Sequence, residues 1–160
     1  MKGKTGQAVI EFALVLPFLL LLILNLVNFG ALLYACLTVA NAARAGAQYM
    51  VLAGASLGAP APPTAAQVAS VVTQDVSSLP NQASLQVKVC TNNNGTVGCS
   101  GSGGGAPLTD PEPTHYVVGT VDVTYTYQPL LGAWRFPNLG IYLTIPPSTI
   151  HRRAAMRMLQ

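Results

Sequence analysis

"GQAVIEFALVLPFLLLLILNLVNFG", residues 6–30, decides how the rest of the chain is read. Its only charged residue is Glu11, and from Phe12 to Leu33 the sequence carries no charge at all. A helix rises about 1.5 Å per residue, so this run extends over about 33 Å, enough to cross a hydrocarbon core of about 30 Å. The sequence therefore predicts a transmembrane helix with its span at about residues 12–33. Glu11 is the anomaly. A carboxylate in hydrocarbon costs about 3 kcal/mol on insertion scales, and so calls for a partner or a task.

Lys2 and Lys4 precede the span, and few positive charges follow until the C-terminus. By the positive-inside tendency, the short N-terminus stays in the cytoplasm and the remainder is exported. Pro17 can bend the helix, which membrane helices tolerate when neighbours re-satisfy the freed carbonyl. Asn25 and Asn28 share a helix face. Their amides either bond across to another helix or are ordinary polar groups near the far side of the bilayer.

Composition agrees with a membrane-attached chain. Of 160 residues, 51% are apolar and 8% charged, against roughly one quarter charged in soluble domains. The net charge of +3 comes from scattered or terminal basic residues without interleaved aromatics, so nucleic acid is excluded as a partner.

Beyond the span, the alanine-rich "CLTVANAARAGAQYMVLAGAS" suits continuation of the helix, giving one N-terminal helix over residues 7–53. The prolines of "GAPAPPT" break it, so residues 54–63 read as a Pro-rich linker. Thr64 then caps a second helix over "AAQVASVVTQDVSSL". Val68, Val71, Val72, Val76 and Leu79 make one apolar stripe on it, and Pro80 ends it.

Strand signals follow. Leu85, Val87 and Val89 alternate with polar residues, as do Val117, Val121, Val123, Tyr125 and Tyr127 with Thr120, Asp122, Thr124 and Thr126. Between these lies "TNNNGTVGCSGSGGGAPLTDPEPT", read as a flexible loop. The C-terminal "LGIYLTIPPSTIHRRAAMRML" supplies a last strand, interrupted near Pro146 and Pro147. The fold class is α+β: a long transmembrane helix, a short amphipathic helix and an antiparallel sheet of about three strands. Residues 64–160 form the extracytoplasmic α/β domain.

Cys36 falls in the apolar stretch. Cys90 and Cys99 bracket a turn-rich loop whose ends can meet, and in an exported domain they are expected to form a disulfide. The cysteines are too few and too widely spaced for a zinc site, and neither a metal nor a cofactor is expected.

Lys-Gly-Lys-Thr-Gly, then Gln-Ala-Val-Ile-Glu-Phe, then a membrane span, resembles the type IV prepilin signal of the Flp/Tad subtype: a glycine, four residues, then Glu followed by Tyr or Phe. The first fifty residues, and more loosely "VDVTYTYQPL" with "RRAAMRML" near the C-terminus, look like the TadE-like minor pilins. The resemblance implies that residues 1–6 are a leader, cut by prepilin peptidase between Gly6 and Gln7. Glu11 then becomes the fifth residue and Phe12 the sixth, with Glu11 pairing with the N-terminal amine of a neighbouring subunit. Other pilin subunits, the inner-membrane assembly platform and lipid follow as partners. The place implied is the bacterial inner membrane, or the pilus itself. The function implied is a minor pilin or pseudopilin that assembles into, initiates or tips a Tad/Flp pilus for adhesion or secretion.

Other readings of the same residues are weaker. "ANA" at Ala40–Ala42 offers a signal-peptidase site and "LYAC" a loose lipobox, but the apolar run is far longer than a secretory signal core. A signal-anchored periplasmic binding or enzymatic domain is the alternative from another class. His115 and His151 have no nucleophile or carboxylate arrangement beside them in sequence, and Asp110 and Glu112 lie in a Pro-rich loop. "GSGGG" lacks the strand-then-helix setting of a phosphate loop. Arg152, Arg153 and Arg157 read as a solvated basic end.

Overall fold

The computed structural model describes residues 4–56, 63–93, 95–108, 117–130 and, within 132–158, all but 134, 136, 137 and 139–141. The expected linker falls mostly on residues 57–62, outside the described residues, as do Asp110, Glu112 and His115. The elements are α1 (Lys4–Ser56), α2 (Ala65–Asp75), a single 3₁₀ turn (Gln82–Ser84), β1 (Gln86–Asn93), β2 (Thr96–Gly101), β3 (Val117–Tyr127) and β4 (Ser148–Met158). The chain divides into two compact units, residues 1–33 with 129–147 and residues 34–128 with 148–160.

Helix α1 changes character along its length. From Gly6 to Val27 no residue is buried. The stretch Gly6–Leu52 is long and apolar enough to cross a membrane, and Pro17 lies within an unbroken helix. From Ala35 onward, Ala35, Val39, Ala42, Ala43, Gly46, Ala47 and Met50 are buried at helical spacing. The residues of this face are mostly small, and the fit is tight. A Cβ added at Gly46 would stand 2.7 Å from Val72 Cγ2 and 3.3 Å from Val121 Cγ1.

Thr64 caps α2 through a complete capping box. Its hydroxyl accepts from the Gln67 backbone N–H, while the Gln67 side chain accepts from the Thr64 N–H at 2.9 Å. The helix ends at Asp75, earlier than the stripe suggests, because the chain tightens into i→i−3 bonds from Ser77 to Gln74 and from Leu79 to Val76. Val68, Val72, Val76 and Leu79 stay buried through that change, so the apolar stripe outlasts the helix.

The sheet has four antiparallel strands in the order β2-β1-β3-β4, one more than expected. The added strand is β2, within the stretch read as a flexible loop; it pairs with β1 through all six of its residues, from Asn93↔Thr96 to Lys88↔Gly101. Central strand β3 is buried on both faces from Val117 to Val123. Val121 lies beneath α1 and α2, and the glycine run Gly103–Gly105 crosses the opposite face. The last strand begins only after Pro147, since Pro146 and Pro147 have no N–H to give to a ladder.

Candidate assembly site

At the start of α1, Gly6 and Gln7 are exposed, and a Cβ placed on Gly6 meets nothing within 4 Å. The Gln7 side-chain amide donates to Glu11 Oε1 at 3.1 Å, the i,i+4 geometry that puts both side chains on one helix face. Phe12 is exposed beside them, and Val9, Ile10, Leu14 and Phe18 carry the apolar surface around the helix. An uncovered apolar surface on this scale belongs against lipid or against other helices.

Asn25 and Asn28 have well-defined partners in the single chain. Asn25 Nδ2 donates to the carbonyl of Leu21, one turn back, at 2.9 Å and to that of Leu143 at 3.1 Å. Asn28 is buried, and its Oδ1 accepts the Leu130 N–H at 3.2 Å. Both amides therefore bond backbone of the segment 129–147, which belongs to the same compact unit as residues 1–33.

Cys90 and Cys99 face each other across β1 and β2, with Cα atoms 4.1 Å apart and a disulfide joining them. Cys36 is free and half-buried.

A second cluster escapes sequence reasoning. In register across the sheet stand Lys88 of β1, Asp122 of β3 and Arg153 of β4. Asp122 is 1% exposed. Arg153 holds it with a fork of two bonds, Nε to Oδ1 at 2.6 Å and Nη2 to Oδ2 at 2.9 Å. His151 Nε2 lies 3.3 Å from the same Oδ1. Hydrogen bonding to Asp122 pushes the Arg153 guanidinium pKa still further up, against the effect of burial. Lys88 Nζ donates to the Gly105 carbonyl at 3.1 Å.

The glycines over this row lie close against it, and at Gly104 a side chain has no room. A Cβ on Gly104 would lie 2.6 Å from Asp122 Cβ, and one on Gly105 would lie 2.5 Å from Arg153 Nη2. At Gly104 the backbone is also left-handed, with φ +71°. The row joins a buried Asp122 to a partly exposed Arg153, with a glycine strap over it. Among the described residues there is no group of three or more His, Cys, Asp or Glu able to hold a metal ion.

No curated protein and no solved structure matches the chain. A family does match, and it matches the helix that carries the glycine, the glutamate and the exposed apolar surface: residues 6–48 fit the family described as TadE-like protein.

Proposed function

We propose that this chain is a minor pilin or pseudopilin of a Tad/Flp-type system, working by assembly rather than by catalysis. The observation that supports it most is the coincidence, within residues 6–48, of the TadE-like family match with a helix whose first half is apolar and uncovered. Prepilin peptidase cuts between Gly6 and Gln7, removes Lys2 and Lys4 and releases a new amine. The chain stays in the inner membrane, with the α/β domain outside, until the assembly platform passes it to a filament.

Glu11 is the residue that this reading explains. Its carboxylate meets the Gln7 amine of a neighbouring subunit, and the pair neutralises two charges that are each costly in an apolar setting. Phe12 and the apolar side chains around it supply the rest of the helix–helix contact. Asn25 and Asn28, whose amides hold backbone in the single chain, reach a neighbouring helix only where that backbone is displaced.

Mass spectrometry of the mature N-terminus in cells with the peptidase tests the processing. A chain that begins at Gln7 is expected, and an intact Met1 or a start at Ala43 counts against it. Assembly is tested by Glu11→Ala: the reading requires that incorporation into the filament be lost while the chain remains in the membrane.

A further inference from the structure

We infer that the described residues of the β3–β4 connection, Leu130, Arg135, Tyr142 and Leu143 among them, seat in the outer interface of the bilayer, where they contact lipid headgroups and the upper acyl chains. The inference rests on the reading that α1 spans the membrane, and it adds a second point of contact that this reading does not require.

Depth is the first argument. About twenty helical residues cross the hydrocarbon core. Counted from Gln7 they end at about residue 27, and counted from Phe12 at about residue 32. Asn25 and Asn28 fall within about two helical turns of that edge on either count. Their side chains bond the Leu143 carbonyl and the Leu130 N–H, so these points of the connection lie at the same level as the edge.

Chemistry is the second argument. "PLLGAWRFPNLGIYLTIPP" has no acidic residue and a single charge, Arg135. Leu130 is 70% exposed and Tyr142 48% exposed, in a connection between two sheet strands where polar residues are the rule. The Arg135 guanidinium lies 5.8 Å from the centre of the Tyr142 ring. An arginine over an aromatic ring suits the headgroup layer, where the stem and ring meet acyl chains and the charge reaches phosphate.

Backbone satisfaction is the third. Irregular chain is costly near hydrocarbon unless its polar groups are paired. Here Arg135 and Tyr142 form an antiparallel bridge, Thr144 Oγ1 donates to the Gly132 carbonyl at 3.1 Å, and the two asparagines take up two further backbone groups. The amides of α1 thus serve the segment as anchors.

Trp134 is the only tryptophan in the sequence, so combining Trp134→Phe with Leu130→Trp moves the single reporter to an exposed, described position of the connection. The full chain is reconstituted into phosphatidylcholine–phosphatidylglycerol vesicles, with bromine either near the glycerol end or near the methyl end of the acyl chains. Flotation of the vesicles reports whether α1 is inserted, and emission from the tryptophan at position 130 reports the segment. The expected result is co-flotation with a blue-shifted emission, quenched more strongly by bromine near the glycerol end. In that background Tyr142→Glu should relieve the quenching while the chain still floats. Co-flotation with emission that bromine leaves unchanged overturns the inference, including the case in which a second copy of the chain buries the tryptophan. Failure to float removes the membrane reading of α1 and this inference with it.

Discussion

Gly46 makes the packing of α1 on the sheet testable with one methyl group. An added Cβ would stand 2.7 Å from Val72 Cγ2 and 3.3 Å from Val121 Cγ1, where carbon atoms ordinarily sit about 3.5–4.0 Å apart. Val72 is fully buried and stiff at χ1, so it cannot swing away. Overpacking of this kind costs about 2 kcal/mol, whereas Gly→Ala within a helix gains about 1 kcal/mol. Gly46→Ala should therefore lose about 1 kcal/mol net, a fall of about 4–8 °C in Tm for a domain of this size. Val72→Ala removes the obstructing methyl, so in that background Gly46→Ala should stabilise instead. Thermal unfolding of the four proteins, followed by near-ultraviolet circular dichroism in detergent, completes the cycle. Equal effects of Gly46→Ala in both backgrounds would refute the contact between α1 and α2 described above. Gly30, with nothing within 4 Å of its added Cβ, is the control where the same change should not destabilise.

Arg153→Met leaves Asp122 buried without its fork and should cost about 3 kcal/mol in a denaturant titration; a loss under 1 kcal/mol would mean that the strap admits enough water to solvate the carboxylate. Replacing both Cys90 and Cys99 by Ala opens a closed loop of sequence separation 9 and should lower stability by about 2–3 kcal/mol on the chain-entropy account. An unchanged denaturation midpoint would sink that expectation. Burial pushes the phenols of Tyr125 and Tyr127 above their ordinary 10.0, and the negative charge of an ionised Tyr127 adds to it at Tyr125. The folded state then keeps protons that the unfolded chain gives up, so stability is full below pH 10 and declines as pH rises through the folded values. Tyr125→Phe should flatten part of that decline, and a pH profile that is the same with and without the substitution would contradict it.

What was legible in the sequence was legible for local reasons. Thr64 and Gln67 are three residues apart, so a capping box can be read directly, and the exposed half of α1 announces itself by the lack of charge. Asp122 could not be read this way. Alternation places it with three threonines on what looks like a polar face. What buries it is Gly103–Gly105 from elsewhere in the chain, a run that looks like flexibility although at Gly104 the lack of a side chain is a requirement of close approach. Strand β2 carries little sequence signal for a related reason, since all of its residues are exposed and it has no apolar period. The two cysteines were the available signal, because a disulfide there brings the ends of residues 90–99 together as a hairpin does. The expected last strand takes in residues 139–147, yet the strand begins only at Ser148; the paired prolines mark the boundary, while the asparagines that hold the segment lie more than a hundred residues earlier.

The cross-strand disulfide has a consequence for when the sheet is complete. Strand β2 has no buried residue to hold it and owes its place to the ladder with β1 and to one sulfur–sulfur bond. In a reducing compartment that bond is absent, β2 is free to peel away, and β1 becomes a raw edge able to pair with other chains. On the proposed reading, in which the domain is exported, the disulfide would secure this edge only once the domain reaches an oxidising space. Protection of the β2 amides from hydrogen exchange should accordingly appear on oxidation and vanish on reduction, while that of β3 persists.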